Sequence, residues 1–211
     1  MKYQCFILGE LQTNCYLLWS ETEAGVIDPG GPADEVIRFI AAHGLTLKWI
    51  VNTHGHSDHI GGNRQLHNQY QAPILIHSAD REMLTSALAN LSAFIGVTIS
   101  SPAAKSTVKG GDTLTLGEAK IQIIETPGHT QGGISLYFPN LLFAGDTLFH
   151  ESVGRTDFPG GNQRQLLKSI RERLLILPPD TLVLPGHGPA TTIEHEIKSN
   201  PFIREENEIL Y

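Results

Sequence analysis

Cysteine is nearly absent from this 211-residue chain, which carries only Cys5 and Cys15. Their spacing matches no zinc or redox motif, so a thiolate metal site is excluded and both read as small buried hydrophobes. No apolar run reaches the roughly 18 residues of a membrane-spanning helix, so no membrane partner is expected. Met1-Lys2-Tyr3-Gln4-Cys5 lacks the basic start and apolar continuation of a secretory signal, and the expectation is cytoplasmic residence. Positive charge is also scarce. Lys plus Arg number 15 against 22 Asp plus Glu, and the formal charge of -7 gives no general attraction to a phosphate backbone, which argues against nucleic acid. Linkers and low-complexity segments are missing too, so residues 1–211 read as one domain with a sizeable core.

What is present begins with three short apolar runs, Tyr3 to Leu8, Cys15 to Trp19 and Ala24 to Ile27, separated by turn-prone residues and read as mostly antiparallel strands. Asp28-Pro29-Gly30-Gly31 stops the third. A helix after Pro32 places Val36, Ile37, Ile40 and Ala41 on one face and ends at Gly44, and Leu47 to Val51 is the next strand, buried on both faces. A helix over Ile60 to Tyr70, a strand at Ile74 to Ile76 and a short helix at Ala79 to Leu84 follow. Between Thr85 and Val108 the pattern fades, and the segment reads either as a partly helical flap or as a surface excursion. Strands at Thr113 to Leu116, Lys120 to Ile124, Ile134 to Phe138, Leu141 to Ala144 and Thr181 to Leu184 surround one helical pattern, Gln163 to Leu175. Two such halves imply an α/β chain of two face-to-face sheets with helices outside.

The chemistry is concentrated in Thr53-His54-Gly55-His56-Ser57-Asp58-His59, an H-x-H-x-D-H stretch directly after a strand, where open α/β sheets carry their sites. Three imidazoles and a carboxylate this close stay unsatisfied in a protein interior unless a cation joins them. Zinc, iron and manganese all accept His and carboxylate donors; a solvated His-rich loop is the alternative. His54 and His56 project to one side of an extended segment, whereas Asp58 and His59 open the next helix, so one stretch can serve two metal positions. Three more candidates, His129, Asp146 and His187, each follow a glycine at a strand end, where a missing Cβ lets the backbone approach a metal cluster.

H-x-H-x-D-H, Gly128-His129, Ala144-Gly145-Asp146 and Pro185-Gly186-His187-Gly188, in this order, resemble the metal signature of the metallo-β-lactamase superfamily over nearly the whole chain. That resemblance implies an αββα sandwich of two mixed sheets. It also implies His54, His56 and His129 on a first metal, Asp58, His59 and His187 on a second, and Asp146 bridging both. Asp28, in Val26-Ile27-Asp28-Pro29-Gly30, is expected to support the ligands from behind. Zinc is the expected metal, with iron and manganese as alternatives. True β-lactamases replace the bridging carboxylate, commonly by Cys or Ser, and flavo-diiron proteins replace the second His by Glu. Asn14-Cys15, Thr126 to Thr130, Gly145 to Phe149 and Gly154 to Gly161 are similar to glyoxalase II-like hydrolases. Only 24 residues follow His187, so the compact group without a C-terminal glutathione-gripping domain is the nearer likeness, down to Asn200-Pro201-Phe202. Gln131-Gly132-Gly133 stands where Pro-Gly-Ser is more usual and is expected to alter a turn.

The expected reaction is hydrolysis of a thioester, such as a hydroxyacyl-glutathione, by hydroxide formed from a water between two metals roughly 3.5–4 Å apart, with Asp58 handling the proton. Persulfide dioxygenases, with one iron and the same ligand types, resemble the Gly154-Arg155-Thr156-Asp157-Phe158 segment and supply the alternative reaction. A metal-stabilised binding protein is the remote third reading. Arg155 is the expected anchor for a substrate carboxylate, with a structural ion pair to Asp157 as its other role, and His150 lies close enough in sequence to Asp146 to reach the cleft. Phe94 and Phe149 fall either in the pocket or in the core. The remaining histidines read as surface or satisfied-core residues. Arg204 to Glu208 reads as a solvated end, and Ile209-Leu210-Tyr211 as a segment able to dock on a second copy, leaving monomer and homodimer both open.

Overall fold

The computed structural model describes residues 1–204, so the expectations for the tail beyond Arg204 lie outside the described residues. Strands β1 (Lys2–Leu8), β2 (Thr13–Ser20) and β3 (Glu23–Ile27) pair antiparallel in sequence order. Strands β4 (Thr46–Val51), β5 (Ile74–His77) and β6 (Ser106–Val108) then add in parallel, giving a mixed six-stranded sheet ordered β1-β2-β3-β4-β5-β6. The second sheet contains β7 (Thr113–Leu116), β8 (Ala119–Glu125), β9 (Ile134–Phe138), β10 (Leu141–Gly145), β13 (Leu182–Pro185) and β14 (Thr191–Thr192). Its order is β14-β13-β10-β9-β8-β7, with only β10 and β13 parallel. A small hairpin, β11 (Leu148–Phe149) with β12 (Ser152–Val153), follows β10.

Period-two alternation assigns each strand residue to a layer. Leu17 of β2 and Ile50 of β4 pack outward among Val36, Ile40 and Leu66, whereas Tyr16, Leu18, Trp49 and Val51 meet Ile121, Ile123, Leu136 and Phe143 of the facing sheet. Leu142 and Val183 point to the opposite outer layer, with Leu166, Ile170 and Leu174. Three apolar layers thus separate helix, sheet, sheet and helix, as the αββα expectation requires.

Helix α1 (Asp34–Ala42) opens with Asp34 and Glu35 in its first turn, where the helix dipole favours negative charge, and buries Val36 and Ile40. The single helix expected over residues 60–70 is instead two, α2 (Ser57–Ile60) and α3 (Asn63–Tyr70), broken at Gly61-Gly62. The cause is a close backbone crossing: the Gly62 N–H donates to Pro29 O at 2.6 Å, and a Cβ on Gly61 would lie 2.7 Å from Gly30 O. The pattern over 163–175 forms α4 (Gln163–Ser169), capped by Asn162 Oδ1 on Gln165 N at 2.9 Å, and runs on as a π turn, Ile170–Leu174. Helices α5 (Ile193–Ser199) and α6 (Pro201–Arg204), with β14, complete the described chain. Among the described residues, no helix is long and apolar enough to cross a membrane.

Candidate metal centre

All four loops expected to carry donors meet at one end of the sandwich. His54 and His56 leave β4, Asp58 and His59 lie in α2, His129 follows β8, Asp146 follows β10, and His187 follows β13. Candidate ligand atoms lie within 4.8 Å of one another in three overlapping groups: His54, His56 and His129; Asp58, His59 and His187; and His54, His59 and Asp146. Within the first, His56 Nδ1 stands 2.9 Å from His129 Nε2. Within the second, His187 Nε2 stands 3.2 Å from Asp58 Oδ2 and 3.3 Å from His59 Nε2. Asp146 reaches both, with Oδ1 3.4 Å from His59 Nε2 and Oδ2 3.7 Å from His129 Nε2 and 3.8 Å from His187 Nε2.

The donor set fits divalent cations. His54 Nε2 and Asp146 Oδ1 are buried without a hydrogen-bond partner, a costly state for polar atoms that a cation removes. Elsewhere the rings are held by their outer nitrogens: His59 Nδ1 to Asp28 Oδ2 at 2.9 Å, His129 Nδ1 to Arg155 O at 2.7 Å, His187 Nδ1 to Leu11 O at 3.0 Å and His54 Nδ1 to Thr53 Oγ1 at 3.2 Å. Such contacts fix a tautomer and leave Nε2 free to ligate, whereas His56 turns Nδ1 inward. Buried Asp28 also accepts from Thr53 N at 2.7 Å and Thr53 Oγ1 at 2.6 Å, tying β3 to the donor loop.

Electrostatics at this cluster are those of a cation site. Burial opposes charge on His59, yet Asp146, Asp58 and Asp28 outweigh it and raise its pKa well above the ordinary value, so without metal a proton serves as the cation. His56 is pushed down to about 3, first by burial and then by His129. Asp58 is also buried, but His59 and His187 hold its carboxyl well below the usual carboxylate range.

Sequence reasoning missed Asp80, a buried carboxylate that accepts from Gly132 N at 2.7 Å, Thr130 Oγ1 at 2.6 Å and Gly55 N at 3.3 Å. It joins the His54–His56 loop to the His129 loop. Its only sequence signal is an acidic residue near the start of a short helix, observed as a 3₁₀ helix (Ser78–Leu84), which points to no buried role. Gly132, the residue that Gln131-Gly132-Gly133 shares with the more usual Pro-Gly-Ser, has a reason here, since a Cβ on it would lie 2.7 Å from Asp80 Oδ1. Asp80→Ala is expected to strand three donors and cost about 3 kcal/mol. Thermal unfolding should show a drop of about 6–12 °C.

Gly186 has an equally specific reason: a Cβ there would lie 2.2 Å from Asp146 Oδ1 and 2.7 Å from His59 Cε1. Gly186→Ala should therefore displace the donors by a sizeable fraction of an ångström and reduce activity about 10²-fold in a folded protein, read by steady-state kinetics beside circular dichroism.

A cavity of about 380 Å³ opens onto the donors, lined by His56, Asp58, His129, Asp146 and His187 together with Arg155, Phe158, Leu11, Leu91 and Ile95. A groove of about 490 Å³ lies behind the His129 loop, but Thr130, Gln131, Asn162 and Gln165 line it without any of the candidate donors, so the chemistry belongs to the smaller space. Arg155 makes the expected ion pair and also faces the cavity. It lines the cavity, pairs with Asp157 through Nε at 2.8 Å and Nη2 at 2.7 Å, and sits 3.9 Å above the Phe158 ring.

His150 does not meet its expectation, because it sits at the tip of the β11–β12 hairpin and stacks on His195 at 4.8 Å, outside the cavity lining. Phe94 is neither core nor lining but 70% exposed, and Phe149 lies 6.5 Å from the His187 ring. His43 and His67 bond to backbone carbonyls, and His77 and His195 pair with Glu125 and Glu151.

An αββα sandwich with His and Asp donors gathered at one end of its sheets defines the class of metallo-hydrolase folds. The sequence profile of the Metallo-beta-lactamase superfamily matches residues 8–187. The chain belongs to that superfamily. It is 37% identical over 206 residues to the Probable metallo-hydrolase YqgX of Bacillus subtilis, covering 96% of this chain and 98% of that protein. It is 36% identical over 215 residues to the Hydroxyacylglutathione hydrolase GloC of Haemophilus influenzae, covering 96% and 98%. Similar solved structures include the BLEG-1 B3 metallo-beta-lactamase, with TM-score 0.92, 37% identity and coverage of 96% and 99%. TTHA1623 in a di-iron-bound form has TM-score 0.85 and 35% identity over 94% and 99%. ETHE1 from Myxococcus xanthus has TM-score 0.81 and 30% identity over 100% and 92%.

Proposed function

We propose that this chain hydrolyses thioesters at a dinuclear divalent-metal centre, with His54, His56 and His129 holding one ion, Asp58, His59 and His187 the other, and Asp146 between them. The observation that carries this reading is the pair of converging donor groups around unpartnered His54 Nε2 and Asp146 Oδ1, with Asp146 and members of both groups lining an open cavity. The relative named as a hydroxyacylglutathione hydrolase supports the thioester class, and the di-iron neighbour supports two ions. Zinc is the proposed metal; iron and manganese accept the same donors.

When bound, two such ions supply Lewis acidity to a carbonyl and make water acidic enough to react at neutral pH. The chain's own groups do the rest. His129 and His187 are oriented by the carbonyls of Arg155 and Leu11, and His59 by Asp28, so the donors are in place before substrate arrives. Asp58, kept ionised, accepts the proton of the attacking water as it adds to the carbonyl carbon, and returns it to the sulfur as the C–S bond breaks and the thiol leaves. Arg155, pre-set by Asp157, binds an anionic arm of the substrate, such as that of a glutathione thioester. Arg155→Ala should raise KM for an anionic thioester about tenfold with little change in kcat; unchanged KM in a saturation curve assigns Arg155 to structure alone.

The neighbour ETHE1 favours a second reading, oxidation of a persulfide by oxygen at one iron in the same donors. Purified protein carrying its native metal should hydrolyse a lactoyl-glutathione thioester, with neither oxygen uptake on glutathione persulfide nor opening of a β-lactam. Oxygen uptake with one iron per chain would replace the thioester reading, as would β-lactam opening without thioester hydrolysis.

A further inference from the structure

Two of the large apolar side chains that the fold leaves in water stand beside the donors. Leu11 and Ile95 are 59% and 63% exposed, and with Leu91 they line the same cavity as His187 and Asp58. Exposed apolar surface at the mouth of a site marks what the site binds.

This part of the segment expected to be a flap or a surface excursion is a fixed shelf. Asn90, fully buried, donates through Nδ2 to Met83 O at 3.0 Å and Ile99 O at 2.9 Å, and its Oδ1 accepts from Ser92 N at 3.0 Å. Its carbonyl accepts from Ser57 N at 3.0 Å, which fastens the shelf to the first residue of α2, next to Asp58. Leu91 is thereby held at φ +70°, a conformation rarely adopted by a branched side chain.

The cavity is two-sided. Leu11, whose carbonyl holds His187, and Leu91, beside the Asn90 that holds Ser57, flank the Asp58–His187 side. Arg155, whose carbonyl holds His129, and Phe158, 5.8 Å from the His56 ring, flank the other. A thioester lying across the donors therefore presents one arm to hydrocarbon and the other to a guanidinium.

We infer that Leu11, Leu91 and Ile95 form a specificity shelf that selects thioesters with an apolar acyl chain, the carboxylate-bearing thiol carrier lying on the Arg155 side. This rests on the thioester reading above and narrows it to a substrate class.

The test uses the metal-loaded protein and glutathione thioesters from acetyl to octanoyl. Full burial of a methylene gives about fourfold, so half-burial on an open shelf should raise kcat/KM about twofold per methylene, roughly 60-fold over the series. Ile95→Ser and Leu91→Ser should each lower the octanoyl-to-acetyl ratio at least about tenfold. A second readout needs no turnover: octanoate should bind about 16-fold more tightly than butanoate by calorimetry, and Ile95→Ser should abolish the difference. Octanoate preference without thioester hydrolysis keeps the shelf and discards the thioester reading. Hydrolysis that ignores chain length, with no octanoate preference, discards the shelf. Loss of self-association in Ile95→Ser, alongside a flat series, overturns it in favour of an interface between copies.

Discussion

Asp146→Asn should reduce thioester hydrolysis by at least about 10³-fold, or about 4 kcal/mol of transition-state stabilisation, while the protein remains folded. Among the described residues, Asp146 is the one carboxylate whose oxygens lie within 4 Å of members of both donor groups, His129 on one side and His59 and His187 on the other. An amide keeps the shape but removes the negative charge and turns an N–H toward one position. The metal content should fall from two ions towards one, measured on dialysed protein. The fold has little reason to fail, because Asp146 lies beyond the last residue of β10, outside the sheet ladder, and an amide keeps the side chain's shape. Full activity with two bound ions in the folded variant would falsify the bridging role and, with it, the assignment of one shared centre.

The legible parts of this molecule were those whose cause is local. Strands β2 and β4 could be read because their residues are apolar on both faces, and the two faces then meet different layers, Leu17 and Ile50 on one side, Leu18 and Val51 on the other. The donor loops could be read because glycine precedes His129, Asp146 and His187, and in Gly186 the structure supplies the reason as a forbidden Cβ. Illegible features depend on partners far along the chain. The break between α2 and α3 is set by the Pro29–Gly31 backbone, and β6 is a three-residue strand that exists because β5 offers a parallel edge. Asp80 has its partners 25 to 52 residues away. His150 shows the opposite error, since closeness in sequence to Asp146 was outweighed by a hairpin that carries the ring to α5.

Removing the metals should lower the melting temperature by about 8–16 °C near neutral pH. Ions present at about 10³ times their dissociation constant stabilise the native state by about 4 kcal/mol per site, and a chain of this size shifts about 2–4 °C per kcal/mol, so even one site reaches that range. The metal-free protein should then become acid-sensitive in a window set by its histidines. His54 and His56 are buried and resist protonation, with His56 down to about 3, so below pH 6.5 the unfolded chain takes up protons that the fold refuses. Stability is therefore lost as pH falls from 6.5, at up to about 1.4 kcal/mol per histidine and pH unit. His59 and His187 have raised values, so their contribution is complete below 6.5 and is lost only as pH rises through the folded values; neither offsets the acid loss. Chelated protein melted at pH 6.5 and 5.5 should differ by about 4–8 °C, since two histidines integrate to about 2 kcal/mol over that unit. An unchanged melting temperature on complete metal removal would mean that the seven converging donors contribute nothing to the fold through a cation, which their unpartnered buried atoms make physically untenable for a metal centre.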